Sequence, residues 1–145
     1  MVLYPGLSLA QHRGHTMTSK EVAYALALSA ADQFLTAWQF RRQDDGLALI
    51  SDSVKQKNSE EDLRTYISGL SNPHHESFEI CCGDRLKDGR FSFDVTLYED
   101  VTGDNTCSSR SAKIIVVEES KGVWLVDSLP YPTDQRKSTN VLRAK

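Results

Sequence analysis

The sequence predicts an α+β domain in which three N-terminal helices pack on one face of a four-stranded antiparallel sheet. Apolar residues recur every three or four positions before Pro73 and every second position after it, which marks the change from helices to strands. Turns at Asp88-Gly89 and Lys121-Gly122 then divide the second half into consecutive strands. A chain of 145 residues is long enough for one domain with its own core.

The first helix begins at a capping box. Thr18 can accept a hydrogen bond from the backbone of Glu21, whose side chain can reach back to Thr18. Arg41-Arg42 would end the helix, because cations suit the negative end of a helix dipole. Between these signals one apolar stripe is predicted to face the sheet. Its residues are Ala27, Leu28, Ala31, Phe34, Leu35 and Trp38.

The segment after the first helix carries a turn signal. Asp44-Asp45-Gly46 is predicted to break the chain and to cap a short second helix over residues 47–51. Residues 54–58 are polar, so they are interpreted as either a short edge strand or a loop.

The third helix begins at a second capping box. Ser59 is its predicted N-cap, and Asp62 follows three residues later. Asn72-Pro73 ends it, because a residue before proline avoids helical backbone angles. One apolar face runs between these signals, formed by Leu63, Tyr66, Ile67 and Leu70.

Four strands are predicted after Pro73. They cover residues 78–82, 91–98, 113–118 and 123–129. Asp88-Gly89 is typical of a two-residue hairpin turn between the first two strands. A longer loop over residues 100–109 joins the second strand to the third, and Lys121-Gly122 forms the last tight turn.

The two pairs of strands differ in polarity. Residues 78, 80 and 82 are predicted to share one apolar face with residues 91, 93, 95 and 97, whereas the opposite face is polar. Residues 114–117 and 123–126 are apolar on both faces, so one set covers the helices and the other forms an outer apolar patch. A second copy of the chain would cover such a patch most simply. The sequence therefore predicts a homodimer through the outer sheet face.

The three cysteines are not predicted to form an intrachain disulfide. Cys81 and Cys82 lie near the Asp88-Gly89 end of the sheet, and Cys107 lies near the opposite end. A strand rises about 3.3 Å per residue, so the distance is too great for a bridge. A bond between the adjacent Cys81 and Cys82 would be strained. Reduced cysteines favour a cytoplasmic location, with export as the alternative.

Composition excludes several classes of function. The net charge of −3 and the pI of about 5.8 argue against binding to nucleic acid. No apolar run approaches the roughly 20 residues that a membrane-spanning helix needs. We divide the chain into a leader or tag over residues 1–17, the domain over residues 18–131, and a polar tail over residues 132–145. The alternative for the leader is the remnant of an export signal.

Four segments together resemble the nuclear transport factor 2-like superfamily of cystatin-like α+β cone folds. They are FLTAW at 34–38, the acidic turn after it, SEEDLRTYISGL at 59–70, and GVWLVDSLP at 122–130. The resemblance covers residues 18–130 and implies a curved sheet that encloses a conical cavity, frequently in a dimer through the sheet. The superfamily contains ketosteroid isomerases, polyketide cyclases, dehydratases and envelope-protein accessory domains, so the fold alone does not choose a function.

An isomerase-like site would need a carboxylate inside an apolar cavity and a donor for the developing oxyanion. Asp32 flanks the stripe of the first helix, Asp94 lies on the polar face of the second strand, and Asp127 interrupts the last strand. Each has a plainer interpretation, namely a solvated carboxylate or, for Asp127, a local hydrogen-bonding residue. We therefore assign no catalytic residue and no cofactor.

The histidines do not form a recognisable site. His74-His75 follow Pro73, and Cys107 is expected at the same end of the sheet. Adjacent histidines do not readily bind one ion, and the chain has neither a CxxC nor an HxxxH motif. We interpret His74-His75 as part of a surface loop and predict no metal site.

Four aromatic residues are expected at the interface between the helices and the sheet. They are Trp38, Tyr66, Phe93 and Trp124. Such side chains line a ligand cavity in some proteins and only fill the core in others. The sequence thus favours a non-enzymatic domain that binds a small apolar ligand or a protein partner, with these four as the candidate ligand contacts. The alternatives are an isomerase, cyclase or dehydratase acting by acid–base chemistry, or an exported accessory domain.

Overall fold

The computed structural model describes residues 16–68, 74–100 and 107–130. In this part of the chain four helices precede one antiparallel sheet, whose strands lie in the order β1-β2-β3-β4. The elements are α1 (Ser19–Phe40), α2 (Gln43–Leu47), α3 (Asp52–Lys57), α4 (Glu60–Ser68), β1 (His74–Arg85), β2 (Phe91–Asp100), β3 (Cys107–Ser120) and β4 (Val123–Ser128). The predicted α+β class with a four-stranded meander is confirmed. None of the described helices is both long and apolar enough to span a membrane.

Several predictions lie outside the described residues. They concern residues 1–15 of the leader, the end of the third helix at residues 69–73, the loop over residues 101–106, and the tail over residues 132–145. The last two leader positions, Met17 among them, are described and lie directly before the N-cap of α1.

Helix α1 has the predicted ends. Thr18 is the N-cap, and its Oγ1 accepts a hydrogen bond of 3.1 Å from the backbone N–H of Glu21. Arg41 ends the helix in a left-handed conformation with φ of 60°, and its N–H bonds to the carbonyl of Ala37. The predicted stripe is buried, except that Leu28 is only half-buried.

The two short helices differ from the prediction. Asp44, Asp45 and Gly46 lie inside α2, where the two acidic residues occupy the first turn and suit the helix dipole. The prediction of an edge strand or loop over residues 54–58 is wrong, because most of them belong to α3. Ser51 caps this helix by accepting a hydrogen bond of 3.3 Å from the N–H of Val54. The described chain therefore has four helices, where the sequence predicted three.

Gly46 lies within α2 because α4 packs closely against it. A Cβ atom at this position would lie 2.8 Å from Cδ1 of Ile67, which is too close for an ordinary contact. The turn-forming tendency of Asp-Asp-Gly is thus overridden by tertiary packing. Helix α4 itself begins as predicted, because Ser59 Oγ accepts a hydrogen bond of 3.1 Å from the N–H of Asp62.

The β1–β2 hairpin has a longer loop than predicted. Leu86 N–H donates to the carbonyl of Arg90 at 2.7 Å, which leaves Lys87, Asp88 and Gly89 in the loop. Gly89 has φ of 93°, the left-handed conformation expected at the end of a three-residue loop. The pairing register across the two strands is shifted accordingly.

A β-bulge in β1 changes which residues share a face. The register shifts between Ile80 and Cys82, so that Cys82 pairs with Asp94 on the outer face. The prediction that Cys82 lies on the apolar face with Phe78 and Ile80 is therefore wrong. Gly83 takes the inner position opposite Phe93, where a Cβ atom would lie only 2.4 Å from the phenyl ring.

The inner face of the sheet packs against α1. Strand β2 alternates strictly between buried and half-buried residues, as predicted for a strand with one face in the core. In β3 and β4 the residues that face the helices are Ile114, Val116, Trp124 and Val126, all of them buried.

The other set of apolar residues in β3 and β4 lies on the outer face. Val117 pairs with Leu125 in the ladder, and both are half-buried. Val123 is 47% exposed. We call Ile115, Val117, Val123 and Leu125 the outer apolar patch. The described residues thus confirm that β3 and β4 are apolar on both faces.

Replacement of Phe34 by Ala is expected to lower the free energy of unfolding by about 3–5 kcal/mol, because it opens a cavity in a fully buried part of α1. Chemical denaturation measures this loss. Leu26→Ala is the matched control, since Leu26 lies on the same helix with 40% exposure and should cost less than about 1 kcal/mol. Equal losses for the two variants would show that the buried stripe is assigned incorrectly.

Candidate functional site

The four aromatic residues expected to contact a ligand all lie in the core. Trp38 and Phe93 are fully buried, and Tyr66 and Trp124 are 7% and 5% exposed. Phe91 stands between two of them, with its ring centroid 6.1 Å from Phe93 and 5.5 Å from Trp124. Their packing accounts for their burial, and ligand contact at these residues stays a prediction.

An open groove runs between α1 and β1. Its volume is about 650 Å³, which falls within the range of small-molecule sites. The apolar lining comes from Ala25 and Leu28 on α1 and from Phe78 and Ile80 on β1. The last three are half-buried and also pack against the core. The polar lining comes from Ser29, Asp32, Thr36 and Gln39. We call this space the α1–β1 groove.

A second groove lies on the other side of Asp32. Its volume is about 420 Å³, and it is lined by residues of α1 and α2 together with Arg42 and Leu49. Asp32 and Thr36 line both grooves, so the Asp32 side chain stands at their common edge. Asp32 is exposed, so this candidate acid is open to solvent where it lines the two grooves.

Asp94 lies on the outer face of the sheet, away from both grooves. Its Oδ1 accepts a hydrogen bond of 2.5 Å from Lys113 Nζ. This bond holds the pKa of the Asp94 carboxyl below its usual range, so the group is ionised at neutral pH. A carboxylate with a low pKa beside a lysine is poorly suited to act as a general acid.

Asp127 connects three parts of the fold. Its Oδ1 accepts a hydrogen bond of 2.8 Å from Ser51 Oγ, and its Oδ2 accepts one of 3.0 Å from Arg90. Arg90 also donates to Asp88 at 2.8 Å within the hairpin loop. The side chain of Asp127 is only 16% exposed. Asp127 is thus a hydrogen-bonding residue as expected, but the prediction that its bonds are local is wrong, because Ser51 and Arg90 are both distant from it in sequence.

Sequence reasoning missed the buried acid Glu99. Its side chain is 3% exposed and accepts a hydrogen bond of 3.3 Å from Arg110 Nε. Glu99 continues the inner-face alternation of Phe93, Val95 and Leu97, so strand periodicity could have placed it in the interior. The periodicity was not extended to Glu99 because its side chain is polar.

The cysteines lie at the two ends of the sheet, as predicted. Cys82 pairs with Asp94, whereas Cys107 pairs with Asp100 at the far end of β2. Cys81 and Cys82 are exposed free thiols. Cys107 and His74-His75 are described only by their strand backbones. In the described part of the chain, no three His, Cys, Asp or Glu side chains are arranged to hold a metal ion.

Comparisons of this chain with models of protein families, with curated proteins and with solved structures give no match. The α1–β1 groove and the buried residues around it are therefore interpreted from their own chemistry.

Asp127→Ala is expected to lower the free energy of unfolding by about 1–3 kcal/mol, because the buried Ser51 hydroxyl loses its acceptor and Arg90 loses one of its two. Urea denaturation measures the change. Asp94→Ala removes another acid–cation pair, but that pair is exposed and its loss should leave stability nearly unchanged. An equally stable Asp127→Ala protein would contradict the proposed network.

Proposed function

We propose that the protein is a non-enzymatic binding domain that takes a small, largely apolar ligand in the α1–β1 groove. The observation that carries this proposal is the groove itself, which is lined by both apolar and polar side chains. Ligand sites in proteins commonly combine an apolar surface with a few polar groups that fix orientation. We further propose that the domain has the conical form of the nuclear transport factor 2-like superfamily, which its helix-then-sheet order supports.

Asp32 indicates which functional group the proposed ligand carries. Its exposed carboxylate lines the groove together with Ser29, Thr36 and the apolar side chains. A carboxylate accepts hydrogen bonds and attracts cations. The ligand that fits best has an apolar body and one amine or other donor group at its end.

The polar pairs favour binding over catalysis. Acid–base catalysis uses a carboxyl or imidazole group sheltered from water. Asp94 and Asp127 are bound to Lys113 and Arg90, and Asp32 is exposed. Asp32 and Asp94 are therefore open to solvent, and Asp127 is held by Ser51 and Arg90.

Glu99 is the observation that favours the enzymatic alternative. It is a buried carboxylate on the inner face of the sheet, which is where a cone-shaped enzyme would place its acid or base. Its hydrogen bond from Arg110 is equally typical of a structural ion pair. The binding proposal therefore assigns Glu99 to stability and not to chemistry.

Two probes with the same naphthalene body test the groove, one with an aminomethyl group and one with a hydroxymethyl group. Both are expected to shift the backbone NMR signals of Leu28, Phe78 and Ile80. The amine should bind about two- to fivefold more tightly, since an exposed ion pair is worth up to about 1 kcal/mol. Asp32→Asn should remove that difference.

Two variants control this experiment. Glu61→Gln removes an exposed carboxylate from α4, away from the groove, and should leave the difference between the probes intact. Ser29→Trp should fill the groove and weaken both probes. Probes that shift only signals of core residues such as Phe93 would overturn the groove as the site.

We also propose that the protein is a homodimer through the outer apolar patch. Val117 and Leu125 pair in the ladder, and the more exposed Val123 extends the patch towards the β3–β4 turn. The outer face of β2 is polar by contrast, with Asp94 bound to Lys113. A two-fold dimer would bury the patch against the same patch of a second copy.

Val117→Glu and Leu125→Glu are expected to convert the dimer to a monomer in sedimentation-velocity experiments, because each places a charge in the buried interface. Ser111→Glu is the matched control, since Ser111 lies on the polar part of the same outer face, opposite Thr96. A wild-type protein that sediments as a monomer at tens of micromolar would contradict the dimer.

A further inference from the structure

Two adjacent cysteines lie at an irregular point of β1. In a regular strand neighbouring side chains point to opposite faces of the sheet. Here the β-bulge between Ile80 and Cys82 inserts an extra residue, and both Cys81 and Cys82 are exposed. The bulge thus leaves the thiols of two neighbouring residues at the surface.

The surroundings of this pair favour the protonated thiol. The hydrogen bond with Cys81 and, after it, desolvation raise the pKa of Cys82 to about 11. Cys82 Sγ also lies 3.8 Å from Asp94 Oδ2.

We propose that Cys81 and Cys82 form a chelating site for soft, thiophilic ions of the trivalent arsenic class. Soft ions prefer sulfur ligands. Two thiols on neighbouring exposed residues can bind one such ion together, so the second bond forms without a further loss of translational freedom. The site lies on the outer sheet face and is separate from the α1–β1 groove, so it does not depend on the proposed ligand.

The chemistry of the site balances without an oxidant or a reductant. With phenylarsine oxide as the probe, two arsenic–sulfur bonds form and the two S–H bonds break. The oxygen of the arsenical leaves with both protons as one water molecule. Arsenic stays trivalent, and neither sulfur is oxidised.

Mass spectrometry of the full chain after treatment with phenylarsine oxide tests the proposal. One adduct per chain is expected to survive a wash with the monothiol glutathione and to be removed by the dithiol dimercaptopropanol. Cys81→Ser and Cys82→Ser should each lose the adduct in the glutathione wash. Cys107→Ser is the matched control and should keep it, since Cys107 lies at the other end of the sheet.

Two further measurements keep the result independent of how the variants fold. Peptide mapping of the wild-type adduct should place arsenic on the peptide that contains Cys81 and Cys82. A synthetic peptide of residues 78–86 should release the probe to about tenfold less dimercaptopropanol than the folded protein, because the peptide lacks the preorganised pair. The proposal is overturned by an adduct that maps to Cys107, by one that survives glutathione in both serine variants, or by equal retention in peptide and protein.

Discussion

The contact between Ser51 and the last strand joins the helical half of the chain to the sheet. The Ser51 N–H donates to the carbonyl of Val126 at 2.9 Å, and the Val126 N–H donates to the carbonyl of Leu49 at 2.7 Å. The same serine caps α3 and donates its hydroxyl proton to Asp127. Burial of apolar side chains along α1 stabilises the fold, but the hydrophobic effect is non-directional and does not by itself set the orientation of the helices. These directional hydrogen bonds attach the segment between α2 and α3 to β4, whereas α1 packs on the sheet through its buried apolar stripe.

One irregularity in β1 creates both candidate sites. Before the bulge, Phe78 and Ile80 lie on the inner face of the sheet and line the α1–β1 groove. After it, Cys82 points outward towards Asp94, while Gly83 leaves room for the ring of Phe93. A regular strand would place Cys82 in the interior and a side chain against Phe93. Because of the bulge, Gly83 lies where the core has no room for a side chain, and both cysteines are exposed.

Periodicity was sufficient to predict α1, α4 and the order of the strands, because in these elements the apolar pattern and the tertiary structure agree. The errors occur where contacts distant in sequence override local preference. Gly46 lies inside a helix because Ile67 packs against it. The shifted register of β1 could not be read from alternation, since a bulge moves every later residue to the opposite face. Of the candidate acids, Asp32 lines a groove, and the buried acid Glu99 was missed because it is polar.

Hydrogen exchange at the amides of Ser51 and Val126 tests the central claim most directly. If their bonds hold the segment between α2 and α3 on the sheet, both amides should exchange only through global unfolding, with the same opening free energy as the amides of Phe93 and Ile114 in the centre of the sheet. Exchange at Ser51 and Val126 through local opening, at a clearly lower free energy while α1 stays protected, would contradict the account.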